Sequence, residues 1–109
     1  MAARRKPAPP EAFGTQGTAL WERVAAEFEP SAFEAAILVE ACRTVDELQS
    51  IRDALRAAVS VVVAGSTGQP RAHPLLDEVR RHRETLARLL TVLGVDEQAQ
   101  TSRRKRLVK

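Results

Sequence analysis

"GSTGQPRAHPLLDEVRRHRETLARLLTVLG", residues 65–94, decides the fold. Its opening, Gly65-Ser66-Thr67-Gly68, has the outline of a phosphate-binding loop. A P-loop needs G-x-x-x-x-G-K-[ST], with lysine on the phosphates and the hydroxyl on magnesium. Here the glycines are three apart, Gln69 and Pro70 follow, and no lysine lies between residues 7 and 104. Proline also removes one amide from any anion cradle. The stretch therefore reads as turn chemistry, followed by a helix that starts at His73-Pro74, since proline suits a first helical turn. Leu75, Val79, His82, Leu86, Leu89 and Leu93 step by 4, 3, 4, 3 and 4, a heptad seam. Leu76 and Leu90 widen it, and Gly94 stops it at a C-terminal capping position. A helix of roughly twenty residues is about 30 Å long.

Upstream, valines at 59, 61, 62 and 63 favour strand over helix. Gly65 and Gly68 bracket a turn, and residues 69–73 can run back, giving a β-hairpin at about 59–73. Pro70 cannot donate to the ladder, so the return strand is an edge or very short. Earlier still, "SAFE" at 31–34 is a capping box. It opens a second helix whose Phe33, Ile37, Ala41, Val45, Leu48, Ile51, Leu55 and Val59 keep three- or four-residue spacing. One long helix is expected, with a break near Arg43-Thr44 as the alternative. A first helix is expected from an N-cap at Thr18, with Leu20, Trp21, Val24 and Phe28 on one stripe and Pro30 beyond its end.

The expected fold is mainly α: a helical hairpin-like core of about three helices, with a short β-hairpin between the second and the last. Residues 1–16 read as a flexible basic, proline-rich arm, residues 17–95 as the helical core and oligomerisation domain, and residues 96–109 as a flexible basic tail. The 109 residues suit one domain with a thin margin of stability. The one cysteine, Cys42, excludes an internal disulfide and provides no metal-site spacing. No run of 18 apolar residues exists, and "MAARRKPAPP" has no apolar signal core, so a cytoplasmic protein is expected.

The net charge of +3 is uneven. Residues 12–95 carry nine basic and eleven acidic side chains, so the positive excess lies in the ends. Arg4, Arg5 and Lys6 precede that stretch, and Arg103, Arg104, Lys105, Arg106 and Lys109 follow it. Basic tails contact polyanions such as nucleic acid, or only solubilise. Arginine outnumbers lysine fourteen to three; this suits phosphate contact, but a GC-rich coding sequence gives the same bias.

Arg80, Arg81 and Arg83 give the last helix the look of a recognition helix. Yet Asp77–Arg81, Arg80–Glu84 and Glu84–Arg88 are all four apart, so a self-neutralised surface is expected. His82, alone on the apolar seam, reads as a packed or interfacial histidine, and Cys42 as a small core residue. Neither residue forms a metal or nucleophile constellation with the rest of the sequence. No cofactor, metal or catalytic residue is expected. The two long apolar stripes point to self-association through Leu75, Val79, His82, Leu86, Leu89 and Leu93.

Two stretches carry a resemblance. "GTALWERVAAEFEPSAFEAAILVEACRTVDEL" (17–48), with its early Leu-Trp, "EFE" and "ACRTVDEL", resembles the front of actinobacterial members of the phage terminase small-subunit family. "GSTGQPRAHPLLDEVRRHRETLARLLTVLGV" (65–95) resembles that family's second half: a glycine turn, "HPLLDEVR", then a leucine-rich helix. The resemblance spans roughly residues 17–95. It implies a mainly helical homo-oligomer, such as a ring. Such a protein binds double-stranded viral DNA in the bacterial host cytoplasm and passes it to a large subunit holding the ATPase and nuclease.

One departure is plain. Small terminases often carry a helix-turn-helix domain, and about 17 residues before the first helix are too few for one. DNA contact would then fall to Arg4, Arg5, Lys6, Arg71, Arg103, Arg104, Lys105, Arg106 and Lys109, or to an assembled surface. The rival expectation is a helical oligomeric adaptor that binds a protein partner and no DNA.

Overall fold

A computed structural model of the chain describes residues 8–58, 62–65 and 68–94. Three helices carry the fold: α1 (Thr15–Glu27), α2 (Ala32–Ala57) and α3 (Pro74–Leu93). Between α2 and α3, β1 (Val62–Ala64) and β2 (Pro70–Ala72) form an antiparallel two-stranded ribbon. The expected mainly α fold, with a hairpin between its second and last helices, is the one observed.

α2 begins with the capping box. The Ser31 hydroxyl accepts from the Glu34 amide at 3.2 Å, and the Glu34 carboxylate accepts from the Ser31 amide at 2.9 Å. The helix runs unbroken for 26 residues, about 39 Å. No break occurs at Arg43-Thr44; within the continuous helix the Thr44 hydroxyl donates to the Glu40 carbonyl at 2.7 Å. That bond satisfies a polar group that is otherwise buried.

α3 returns along α2. His73 caps it, with Nδ1 accepting from the Leu75 amide at 3.2 Å, and Pro74 occupies its first turn. At the far end Gly94 adopts the left-handed conformation, φ 66°, and its amide donates to the Leu90 and Thr91 carbonyls. Both ends match the expectation.

α1 differs. It starts at Thr15, and Gly14, which has no side chain, stands at the N-cap. Thr18 is no cap; its hydroxyl donates to the Phe13 carbonyl at 3.3 Å. The cap comes instead from α2. The Asp46 carboxylate accepts from the amides of Gly14 at 2.7 Å and Gly17 at 2.8 Å. An added Cβ on Gly17 would collide with Asp46 Oδ2 and stand 2.7 Å from the Cys42 carbonyl oxygen. Gly17 is thus a point of close approach between α1 and α2.

Residues 11–16, expected to belong to the arm, are part of the fold. Glu11 pairs with Arg43 at 2.6 Å, and Phe13 packs on the core with its ring centroid 6.2 Å from that of Trp21. Residues 1–7 and the tail 95–109 lie outside the described residues.

The core joins Trp21, Val24 and Ala25 of α1 to Leu38 and Cys42 of α2 and Leu93 of α3. Two expectations for α2 are corrected here. Phe33 is not a core residue but 86% exposed, and the fully buried leucine is Leu38, which the expected stripe omitted. "AAILVEAC" is apolar in two helical phases, and both are used: Leu38 and Cys42 are buried, as are Ala41 and Leu48 of the expected stripe. Val59, the last residue of that stripe, lies outside the described residues.

Two substitutions test the α1 cap. Asp46→Ala leaves two amides without their acceptor and should cost about 1–2 kcal/mol. Gly17→Ala should cost about 1–3 kcal/mol by overpacking. Urea unfolding of both single variants and the double variant should show that the costs do not add, because the two residues touch. Additive costs would mean that Asp46 does not hold α1 as described.

Candidate nucleic-acid interface

The arginines of the described residues divide into held and unheld. Arg80 reaches Asp77 at 2.7 Å and Glu84 at 2.9 Å. Arg81 reaches Asp77 at 2.9 Å and Glu78 at 3.2 Å. The hydrogen bond from Arg80 holds the Asp77 carboxyl below its ordinary range, aided by the charge of Arg81. These pairs are exposed, and exposed pairs add little stability. Their effect is to occupy guanidinium groups that would otherwise face solvent uncompensated. The expected pairs Asp77–Arg81 and Arg80–Glu84 form. The expected Glu84–Arg88 pair does not, because Glu84 turns to Arg80.

Arg43 is held by Glu11 and Glu40, and Arg56 by Asp53. Among the described residues, Arg23, Arg52, Arg71, Arg83 and Arg88 are exposed and make no ion pair. Of the nine residues expected to contact DNA, only Arg71 is described. Arg4, Arg5, Lys6, Arg103, Arg104, Lys105, Arg106 and Lys109 lie outside the described residues. Arg71 sits on β2 across from Val63. A Cβ on Gly65 would meet the Arg71 Cδ at 3.4 Å, so the arginine stem lies over that glycine and leans toward the turn.

The loop that suggested a phosphate site is a hairpin turn. The Gly65 amide donates to the Gln69 carbonyl at 2.5 Å, and the Gly68 amide to the Gly65 carbonyl at 3.0 Å. Both amides are spent on closing the turn. Gly68 has φ +83°, a conformation that favours glycine. Ser66 and Thr67 lie outside the described residues.

The α3 seam faces α2. Leu75, Val79, His82, Leu86 and Leu89 are half-buried by it, and Leu93 is buried in the core. His82, its side chain 22% exposed, bridges the two helices. Its Nδ1 lies 2.9 Å from the Glu78 carbonyl oxygen, and its Nε2 lies 3.2 Å from the Glu47 carboxylate. Part of the seam expected to serve oligomerisation is therefore already used inside one chain.

Cys42 is fully buried, and its thiol is pushed up to about 12, first by burial and then by the nearby charge of Asp46. A thiol in that state is a poor nucleophile. In the native chain it should react with a disulfide reagent such as DTNB far more slowly than in urea. Equal rates would mean that the core around Leu38 and Trp21 opens readily.

Comparison with known protein families, curated proteins and solved structures found no match to this chain.

Proposed function

We propose that the chain is a non-catalytic small terminase subunit. In this reading it forms a homo-oligomer, binds double-stranded viral DNA in the host cytoplasm, and hands that DNA to a large subunit for packaging. The observation that carries the reading is the uneven covering of the α2–α3 pair. Among the described residues, every buried one lies on α1, on the Leu38–Leu48 part of α2, or at Leu93. Beyond Leu48, toward the ribbon, Ile51, Leu55, Leu75 and Val79 are only half-buried, and Leu76 is 39% exposed. α1 ends its cover at Asp46, leaving two helices where the other end has three. Apolar side chains left half-covered on a small domain support a surface shared between copies.

The charge distribution supports the DNA half of the reading. The α3 arginines Arg80 and Arg81 are matched by carboxylates, and the net positive excess lies at the ends of the sequence. Basic ends neutralise phosphates, release counterions, and gain avidity when several copies act together. The same matched face on α3 favours the second reading, a helical adaptor whose partner is a protein. The two readings part on DNA.

Light scattering of the full chain at micromolar concentration should give a mass several times 12.0 kDa, with a further rise on adding duplex DNA. A monomer at that concentration would remove the oligomer.

Deleting residues 103–109 removes five positive charges per chain. DNA affinity should fall, and the slope of log affinity against log salt should flatten by about 0.9 per lost phosphate contact. Circular dichroism and mass should stay unchanged, since that stretch has no apolar periodicity. If the full chain does not bind duplex DNA at low salt, the adaptor reading replaces this one.

A further inference from the structure

Resting on that DNA-binding reading, we propose that the β1–β2 ribbon is the element that enters the DNA, carrying Arg71 into the major groove of the duplex.

The ribbon stands apart from the helices. Its strands pair with each other and pack only marginally against α1, α2 and α3. Pro70, Arg71 and Ala72 are all exposed. A lone two-stranded hairpin is at best marginally stable in water. Such an element acquires a firm position when it lies against something else.

Charge selects what that is. Residues 54–76 contain no carboxylate, although Arg56 and Arg71 fall among them. Each other arginine of the described residues has an acidic residue within four positions in the sequence. For Arg71 the nearest is Asp77, six positions on, and no carboxylate of the described residues pairs with it. Among the described residues, Arg71 is thus the arginine farthest along the sequence from any carboxylate.

Shape agrees. Paired strands lie about 4.8 Å apart, and a two-stranded ribbon fits a major groove about 12 Å wide. Near the turn the residues are small: Ala64, Gly65 and Gly68, with open space around Gly68. The lean of Arg71 over Gly65 carries its guanidinium toward that end. A guanidinium there can donate two hydrogen bonds to guanine O6 and N7.

Backbone chemistry disfavours a protein strand along β2. Gly65 and Gln69 are hydrogen-bonded across the turn, so alternation makes Ala64 and Pro70 a non-bonded pair. The Pro70 nitrogen then faces the outer edge, where it has no hydrogen to donate, which blunts that edge against strand addition.

The test uses the full chain and a mixed-sequence 30-base-pair duplex, read by fluorescence anisotropy. Arg71→Ala should lower affinity about five-fold or more. Arg83→Ala, which removes an equally unpaired arginine from α3, should leave it unchanged. A duplex whose cytosines carry glucosylated hydroxymethyl groups, which fill the major groove, should bind wild type as weakly as the plain duplex binds Arg71→Ala. Netropsin, which fills the minor groove, should not compete. Circular dichroism should be unchanged in Arg71→Ala, because the ribbon barely touches the helices.

If wild type binds and Arg71→Ala binds equally well, the ribbon assignment is overturned while the DNA-binding reading stands. The groove assignment likewise falls if the glucosylated duplex binds wild type normally, or if netropsin displaces it. Should Arg71→Ala lose oligomer mass while keeping DNA affinity, the ribbon serves a protein contact and the inference is wrong. Absence of wild-type binding at low salt removes both.

Discussion

A single carboxylate sets the position of α1. Asp46 accepts from the amides of Gly14 and Gly17, and so performs from α2 the capping that α1 lacks in its own sequence. α1 has 13 residues, no side-chain cap and no acidic residue in its first turn. A helix of that length is marginal alone. A negative charge at its N-terminus meets both the unpaired amides and the positive end of the helix dipole. The same contact excludes a side chain at residue 17, which draws the two helices together at the Cys42 carbonyl. Trp21, Val24 and Ala25 then fall onto Leu38 and Cys42, and Leu93 closes the cluster from α3. Without the grip of Asp46, α1 would keep its apolar packing but lose the acceptor at its N-terminus.

That dependence explains which parts of the fold were legible in the sequence. Local devices were readable, because their donors and acceptors lie within one turn. The Ser31–Glu34 box, Pro74 at the start of α3, Gly94 at its end and the turn at Gly65–Gly68 are of this kind. The α1 cap was not, because Gly14 and Asp46 are 32 residues apart. Thr18 looked like the cap since it was the nearest hydroxyl before an apolar stripe. Phe33 and Leu38 were misassigned for a related reason. Helical spacing permits either phase across "AAILVEAC", and packing uses both, burying Leu38 and Cys42 as well as Ala41.

The candidate interface was legible to a lesser degree. Four-residue spacing predicted that Arg80 and Arg81 would be matched, and they are. It also predicted a partner for Arg88, and here it failed, because Glu84 had two arginines within reach and one rotamer to offer. Spacing counts pairs independently, whereas a carboxylate is shared. For Arg71 the relevant signal was present but of another type. It lies in the absence of acids over residues 54–76, a property of a whole segment and not of any motif.

The two ends of the helical pair consequently differ in character. At the Leu38–Leu93 end, three helices enclose the core, and the turn after α1 abuts a shallow pocket lined by Val24, Phe28, Pro30 and Leu38. At the other end, α2 and α3 meet with only each other for cover, and the bridge from His82 to Glu47 marks the approach to that region. The ribbon lies between α2 and α3 in the chain at this thinner end, where Leu55, Leu75 and Val79 are only half-buried. Binding there would draw on the part of the fold that has the least packing to lose. Association of copies along the same side chains would supply the packing that one chain lacks.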